Sequence, residues 1–189
     1  MEVLRLVTPM HPAAAPLLAG LRHEYTQLYG PHAATELDLY SVFEFLPPGG
    51  AFIVLEVDGV TVAGGALRRL AAGVGEIKRM WTAPQHRGRG YARRILAALE
   101  AAAVRRGYHT LRLETGDAMD AAIGLYGSAG YEPIPSYGEH WGADPRCRSF
   151  EKRLDGAYDL ATDELDRREI LVRKMLEHHP LDAGLRQAA

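Results

Sequence analysis

The N-terminal quarter of the chain begins with a short apolar run, and two segments whose apolar residues have helical spacing follow it. Apolar residues at 3–7 predict a strand, and the pattern over 13–29 predicts a helix that ends at a Tyr-Gly-Pro-His turn. A second helix is predicted over 35–46. Two prolines and two glycines at 47–50 then end the helical structure, because proline lacks an amide hydrogen and glycine favours turns.

Residues 51–70 have the pattern of a β-hairpin. Two β-rich runs flank Asp58-Gly59, and this dipeptide is a strong short-range signal for a hairpin turn. Gly64-Gly65 inside the second run indicates a bulge or the close approach of another part of the chain. A glycine turn at 73–75 leads into a third strand at 76–82, so we expect an antiparallel meander.

After residue 82 the pattern changes to alternating helices and strands. It predicts, in order, helix 90–106, strand 110–114, helix 118–129 and strand 132–135, with a last strand at 147–154. Because parallel strands need crossover connections that are usually helices, this order predicts parallel pairing after the meander. The fold class is therefore α/β, with a mixed α+β sheet.

Length and composition favour one globular domain with an appendage. The chain has 189 residues, of which 47% are hydrophobic and 24% charged. We assign residues 1–154 to the domain and residues 155–189 to a C-terminal extension, formed by a linker and an amphipathic helix at 162–178. The apolar positions of this helix would cover the domain or join a second subunit, so a homodimer is one expectation.

Charge and cysteine content exclude several classes of protein. The net charge of −2 gives no overall basic surface, so neither nucleic acid nor an anionic membrane is an expected partner. A single cysteine, Cys147, rules out an internal disulfide framework and fits a reducing compartment. The N-terminus lacks the order of a signal peptide, and no apolar run reaches membrane-spanning length. We therefore expect a cytoplasmic protein.

Residues 85–90, with the sequence Gln-His-Arg-Gly-Arg-Gly, stand between a predicted strand and a predicted helix. In this geometry backbone amides and the helix N-terminus converge and form an anion site. Gly88 and Gly90 let the backbone approach a phosphate, and Arg87 and Arg89 add positive charge. The expected ligand is a pyrophosphate; the alternative is a plain glycine turn with solvated arginines.

Two common phosphate-binding motifs do not match this turn. A P-loop requires Gly-Lys-Ser/Thr after its spacer, and no lysine follows here. The dinucleotide-binding fingerprint requires a third glycine, where this chain has Arg93. An RNA-binding Arg-Gly segment is a further alternative, but such segments are disordered and this one opens a strongly patterned helix.

The segments Glu-Ile-Lys-Arg-Met-Trp-Thr-Ala-Pro-Gln-His-Arg-Gly-Arg-Gly and Leu-Tyr-Gly-Ser-Ala-Gly-Tyr resemble the GNAT superfamily of N-acetyltransferases. The acetyl-CoA motif of that superfamily is Gln/Arg-x-x-Gly-x-Gly/Ala, which here is Gln85, Gly88 and Gly90. The resemblance covers about residues 1–154. It implies a three-layer fold with a splayed central strand and acetyl-CoA as acyl donor.

By position in this resemblance, two segments would bind acetyl-CoA. The turn amides would bind the pyrophosphate, and the preceding strand would pair with the pantetheine through backbone groups and polarise the thioester carbonyl. The implied cofactor-binding residues are Met80, Trp81, Thr82, Gln85, His86, Arg87, Gly88, Arg89, Gly90, Tyr91 and Ala92. Met119 stands where relatives often have an asparagine that contacts CoA, which puts that contact in doubt.

Acetyl transfer to an amine requires a proton acceptor for the amine and a proton donor for the departing thiolate. The resemblance implies that Tyr126 is the acid; the alternative is a half-buried helix tyrosine bonded to solvent or backbone. Glu76 is the candidate base, because the histone-acetylating branch carries a glutamate there. The alternatives are an ion pair of Glu76 with Lys78 or a neighbouring arginine, and deprotonation through a water chain.

The acceptor is expected across the central strand, between the first helices and the loop before the last strand. The residues assigned to it are Tyr25, Tyr137, Glu139, His140 and Trp141. A small-molecule amine such as an amino acid, a polyamine or an antibiotic is the preferred substrate, because the chain has no broad acidic run to hold basic protein tails. A protein acetyltransferase and a catalytically inactive acetyl-CoA-binding module are the alternatives.

No metal is expected. The sequence has no pair of histidines at the spacing of metal ligands with a carboxylate or cysteine to support it.

Overall fold

The computed structural model describes residues 1–137 and 145–154. The predicted extension, residues 155–189, lies outside the described residues, and so does the proposed subunit contact. Of the helices described, none has the length and apolar character needed to cross a membrane.

The described residues form one seven-stranded sheet with helices on both faces. The strands are β1 Glu2–Val7, β2 Ala51–Val57, β3 Val60–Ala71, β4 Val74–Thr82, β5 Thr110–Gly116, β6 Glu132–Ile134 and β7 Cys147–Arg153. The helices are α1 Ala15–Tyr29, α2 Tyr91–Arg105 and α3 Asp120–Ser128, with short 3₁₀ segments at Pro12–Ala14, Pro31–Asp38, Val42–Phe45 and Pro84–His86.

The strand order is β1-β2-β3-β4-β5-β7-β6. β1 to β4 form the predicted antiparallel meander, and β4 and β5 are parallel neighbours joined through α2. The predicted parallel pairing ends there, because β7 inserts between β5 and β6 and pairs with both in the antiparallel sense. The sheet is therefore mixed, as the fold class predicted, with a different neighbour for β6.

The prediction of a helix over 35–46 was wrong. The chain forms two separate 3₁₀ segments there, Pro31–Asp38 and Val42–Phe45. Ser41 lies between them in an extended conformation and forms a capping box, in which its hydroxyl accepts from the Phe43 amide and Glu44 accepts from the Ser41 amide at 3.1 Å. A cap of this kind starts a new helical segment, so it interrupts the continuous helix that the pattern suggests.

The two faces of the sheet bury separate cores. On one face α2 and α3 cover a cluster that includes Ile95, Leu99 and Leu111. On the other face α1 and the 3₁₀ segments cover a cluster that includes Phe52 and Trp81. Burial of apolar surface on both faces holds the central strands β4 and β5 in place, and the edges of these two strands form part of a cavity.

Gly64-Gly65 lies at the predicted bulge. The register between β3 and β4 shifts between Gly64 and Ala66, opposite the irregular residue Arg79, whose φ is +58°. A Cβ at Gly65 would lie 2.6 Å from Sδ of Met80, and one at Gly64 would lie 2.7 Å from the carbonyl oxygen of Ile53. Both parts of the prediction, a bulge and a close approach, are confirmed.

β4 and β5 separate partway along their length. Their ladder joins Val74–Ile77 of β4 to residues 110–113 of β5 in four residue pairs, and it ends at Ile77 and Leu113. On its other edge β5 pairs with β7 along its whole length, from Thr110 to Gly116. A gap therefore opens within the sheet, as the resemblance implied for the central strand.

Gly20 of α1 tests how tightly this helix packs on the sheet. A Cβ at this position would lie 2.6 Å from Cζ2 of Trp81, whereas one at Gly124 of α3 would meet nothing within 4 Å. We expect Gly20→Ala to lower the free energy of unfolding by about 1–2 kcal/mol, because overpacking outweighs the gain in helix propensity. The matched change Gly124→Ala should raise it by about 0.5–1 kcal/mol. Urea unfolding of both variants measures the difference, and a stabilised Gly20→Ala would contradict this packing.

Candidate functional site

A cavity of 630 Å³ lies where β4 and β5 separate. Its floor is formed by residues 77–82 of β4 and 114–116 of β5, and its walls come from α1, from the start of α2 and from α3. We call it the β4–β5 cavity. It brings together most of the residues that the sequence assigned to acetyl-CoA.

The glycine turn, residues 85–90, closes one end of this cavity. Gly88 and Gly90 have φ values of +75° and +79°, in the left-handed region that favours glycine. α2 begins directly after Gly90, so its unpaired amide groups face the turn. Among the turn residues and the first residues of α2, those that line the cavity are His86, Arg87, Gly88, Gly90, Tyr91, Ala92 and Arg93. The arrangement suits an anion, because the amide groups and the helix dipole are directed at one point.

Two of the predicted cofactor residues lie away from the cavity wall. Gln85 and Arg89 are exposed, and neither belongs to the residues that line the cavity. His86 does line it, and its ring stands 6.3 Å from the ring of Tyr91. The roles of Gln85 and Arg89 toward acetyl-CoA stay predictions.

Arg87 connects the glycine turn to α1. Its Nε donates to the carbonyl oxygen of Thr82 at 3.2 Å, and its guanidinium forms an ion pair with Glu24. Both residues line the cavity. The pair therefore links α1 to the glycine turn, and it holds a cation beside the turn.

Glu2 anchors the first turn of α2 to the edge of the sheet. It accepts a hydrogen bond from the Tyr91 hydroxyl at 2.8 Å and forms an ion pair with Arg94. The hydrogen bond to Glu2 raises the pKa of Tyr91, and the partners Tyr91 and Arg94 lower the pKa of Glu2. These contacts fix the start of the helix that carries the glycine turn.

β4 presents its free edge to the cavity. The ladder with β5 ends at Ile77, so β5 supplies no strand partner for residues 78–82. Met80, Trp81 and Thr82 line the cavity, while the Trp81 ring packs in the core beneath α1. A strand edge of this kind can bind an extended ligand through its peptide groups.

Tyr126 of α3 lines the same cavity and is 4% exposed. Its ring packs against Tyr131 at 5.9 Å and Phe150 at 6.1 Å between centroids. Burial raises the pKa of Tyr126 above its ordinary value, because the interior disfavours the phenolate. The hydroxyl therefore holds its proton at neutral pH and is available as a donor toward the cavity.

Glu76 is 1% exposed and does not line the cavity. Its carboxylate accepts from Arg68 Nε at 2.6 Å and from the Tyr137 hydroxyl at 3.0 Å, and it lies 3.3 Å from Lys78 Nζ. The ion pair named above as the alternative is thus formed, with Lys78 and with an arginine of the neighbouring strand. A role for Glu76 as base stays a prediction.

The residues assigned to the acceptor fall in three places. Tyr25 lines the cavity from α1. Tyr137 donates to Glu76 away from the cavity, and burial together with the charge of Glu76 raises the pKa of Tyr137 strongly. Glu139, His140 and Trp141 lie outside the described residues.

Several polar residues that line the cavity were not assigned to the site from the sequence, among them Glu24, Glu114 and Cys147. Glu114 follows the last residue of the β4–β5 ladder and accepts from the Ser149 hydroxyl at 3.2 Å. Burial is the main cause that raises the pKa of Cys147 to about 11, so its thiol stays protonated at neutral pH. The alternation of side chains along a strand predicts that Glu114 and Leu113 lie on opposite faces of β5. It does not predict that the side chain of Glu114 borders a cavity.

Within residues 1–137 and 145–154, no group of three potential metal ligands is present.

Comparisons with known proteins agree with this geometry. The "IAA acetyltransferase" of Azospirillum brasilense is 32% identical over 148 residues, which span 78% of this chain and 94% of that protein. A Klebsiella pneumoniae protein described as an acyl-CoA N-acyltransferase has a crystal structure that superposes with a TM-score of 0.68. It is 32% identical and covers 82% of this chain and 98% of its own.

A more distant structure shares the fold. The PaiA N-acetyltransferase of Thermoplasma acidophilum, solved in complex with coenzyme A, has a TM-score of 0.64 and 14% identity, covering 81% of this chain and 99% of its own. A sequence model of the Acetyltransferase (GNAT) family matches residues 17–131, which include the glycine turn, α2 and Tyr126. The chain belongs to the acetyltransferase (GNAT) family and is an acyltransferase enzyme.

Proposed function

We propose that the protein transfers the acetyl group of acetyl-CoA to the primary amine of a small molecule, by direct attack within a ternary complex. One observation carries this proposal: the gap between β4 and β5 forms a cavity that the glycine turn closes at the N-terminus of α2. An anion site and a free strand edge thus lie in one continuous space, which suits a long ligand with a phosphate group at one end.

In this proposal each part of the donor has a partner in the chain. The amides around Gly88 and Gly90 hold the pyrophosphate, with Arg87 beside them. The edge of β4 at residues 78–82 orients the pantetheine and the thioester. Acetyl-CoA, when bound, supplies an activated acetyl group as a thioester.

Tyr126 is the proposed proton donor to the departing sulfur. It lines the cavity, and its raised pKa keeps the hydroxyl protonated. A thiol has an ordinary pKa near 8.5, so a phenol whose pKa exceeds 10 serves mainly as a hydrogen-bond donor that stabilises the developing thiolate. The Tyr126 hydroxyl thus donates a hydrogen bond to sulfur as the carbon–sulfur bond breaks.

The amine must lose its proton before it can attack. For an amine with a pKa near 10.4, exposure of the neutral form at pH 7 costs about 4–5 kcal/mol. The predicted base Glu76 is engaged by two cations and a hydroxyl, so a proton path that starts from Glu76 would have to pass through these partners. A water chain in the cavity stays the alternative.

A screen of amines tests the proposed function. We expect release of CoA from acetyl-CoA with at least one free small-molecule amine, measured with a thiol reagent against an amine-free control. Turnover of peptides without turnover of free amines would replace the proposal with protein acetylation. Tight binding of acetyl-CoA without turnover of either class would indicate a binding module.

A further inference from the structure

Glu24 of α1 borders the β4–β5 cavity and forms an ion pair with Arg87 of the glycine turn, which borders it too. The Glu24 side chain is 19% exposed, so most of it is shielded from solvent, whereas the Arg87 side chain is 53% exposed. Within the described part of the chain, Arg87 is the partner of the Glu24 carboxylate. The charge that Glu24 directs at the cavity therefore depends on the Arg87 guanidinium.

Two other acidic residues that line the cavity are placed differently. Glu114 lies 3.8 Å from Nζ of Lys78, and this lysine belongs to β4, not to the glycine turn. Asp120 is exposed in the first turn of α3, where water screens its charge. Of these three acids, Glu24 is the one whose charge balance changes most when an anion binds at the glycine turn.

Arg87 is the arginine of the glycine turn that lines the cavity, since Arg89 does not line it. Its Nε donates to the Thr82 carbonyl oxygen and its Nη2 to Glu24, which leaves the N–H groups of Nη1 without a partner among the described residues. A phosphate held by the amides around Gly88 would lie beside this guanidinium. Arginine–phosphate bonds are charge-assisted and strong, whereas a half-exposed ion pair contributes little, so the phosphate competes with Glu24.

The charge balance at Glu24 changes in the same direction whether Arg87 leaves the carboxylate or holds both anions. If Arg87 leaves, Glu24 loses its cation. If Arg87 bridges the two anions, the phosphate shares the positive charge that neutralised Glu24. In both arrangements the carboxylate attracts a positive charge in the cavity more strongly than before.

We propose that Glu24 binds the cationic amine of the acceptor, and that the pyrophosphate of the donor makes this carboxylate available. Tyr25 and Leu28 belong to the same stretch of α1 and line the cavity as well, so an amine at Glu24 stays beside the residue Tyr25 that the sequence assigned to the acceptor. The acceptor is thus a positively charged amine. This inference rests on the proposed function, since it names an acceptor-binding residue of the same site.

The proposal makes donor binding and acceptor binding cooperative. The amine binds more tightly to the complex with CoA than to the free chain, because Glu24 is less neutralised in the complex. By thermodynamic linkage the amine strengthens CoA binding by the same factor. The cooperativity requires the phosphate groups of the donor, since these groups draw on Arg87.

The test measures the affinity of benzylamine for the full chain, first alone and then saturated with CoA, so that no acetyl transfer occurs. We expect CoA to tighten benzylamine about fivefold, equivalent to about 1 kcal/mol. Pantetheine in place of CoA lacks the phosphates, and benzyl alcohol in place of benzylamine lacks the charge. Neither replacement should show a gain above about 1.5-fold, and titration calorimetry measures each Kd. An equal gain with pantetheine or with benzyl alcohol would overturn the proposal.

Glu24→Gln removes the charge of the side chain and keeps its shape. We expect the benzylamine gain to disappear, and CoA alone to bind about threefold more tightly because no carboxylate competes for Arg87. The matched control is Asp38→Asn, because Asp38 pairs with Arg22 of α1 outside the cavity. This control should keep the fivefold gain. A gain that persists in Glu24→Gln, or that is lost in both variants, would contradict the role of Glu24.

Arg87→Gln is the opposite test, because it removes the cation from Glu24 permanently. Benzylamine should bind about fivefold more tightly to this variant without CoA than to the wild type without CoA, and CoA should add no further gain. CoA itself should bind about tenfold more weakly, since its phosphates lose a guanidinium. Unchanged benzylamine affinity in the variant without CoA would show that Arg87 does not control Glu24 and would overturn the proposal.

The wild type separates this inference from the proposed function. If CoA binds and benzylamine gains nothing from it, the assignment of Glu24 is wrong and the proposed function stands. If the wild type binds neither CoA nor acetyl-CoA, the proposed function itself fails.

Discussion

Replacement of Gly88 by valine is expected to weaken acetyl-CoA binding about 100-fold, equivalent to about 2.7 kcal/mol. Gly88 has a φ of +75°, and a Cβ at this position would meet no protein atom within 4 Å. The added side chain would therefore point into the space that borders the amides of the turn. There it would hold a phosphate away from those amides and away from the start of α2.

The matched control is Gly107→Val. Gly107 follows the other end of α2, has a φ of +77° and is equally free of protein neighbours. Both variants bear the strain of a left-handed conformation, about 1–2 kcal/mol, and should lose similar stability. Titration calorimetry with acetyl-CoA and thermal unfolding separate the two effects. Unaltered affinity in Gly88→Val would contradict the assignment of the glycine turn to the donor.

Tyr126→Phe is expected to lower kcat about 100-fold, within the usual contribution of a positioned proton donor, with little change in acetyl-CoA affinity. The phenylalanine ring keeps the contacts with Tyr131 and Phe150, so the fold should be retained. Because burial raises the pKa of Tyr126, the wild-type hydroxyl keeps its proton through pH 9. Deprotonation of Tyr126 should therefore cause no alkaline loss of kcat up to that pH.

Tyr131→Phe is the control for this variant. Tyr131 packs against Tyr126 and is equally buried, but it does not line the cavity. We expect its kcat to stay within about twofold of the wild type, because Tyr131 lies outside the cavity lining and is not placed to donate a proton to the departing sulfur. Steady-state kinetics with any acceptor found in the amine screen measure both variants. Full turnover by Tyr126→Phe would remove the proton-donor role.

The parts of the fold that local chemistry determines could be predicted. Asp58-Gly59 specifies a hairpin turn through its own backbone preferences, and Gly64-Gly65 marks the bulge through the absence of side chains. The helix over 35–46 failed because Ser41 and Glu44 form a capping box, which the apolar pattern does not reveal. The insertion of β7 between β5 and β6 depends on long-range pairing, and the order of elements along the chain does not determine it.

The same distinction applies to the candidate site. The glycine turn could be found because Gly88, Gly90 and the start of α2 are consecutive in sequence. Glu114 was missed because its position in the cavity depends on the divergence of β4 and β5. The pair of Arg87 with Glu24 joins residues 63 positions apart, and neither residue alone predicts the other.

The four-pair ladder between β4 and β5 is, within the described part of the chain, the hydrogen-bonded seam between two halves of the sheet. A ligand that pairs with the open edge of β4 would complete a layer that the polypeptide leaves unfinished. A bound ligand on the β4 edge should then slow hydrogen exchange of the backbone amides of β4 and β5. The two halves of the sheet could separate only after the ligand is released. In this fold, an interruption in the backbone network is what makes the protein receptive to a partner molecule.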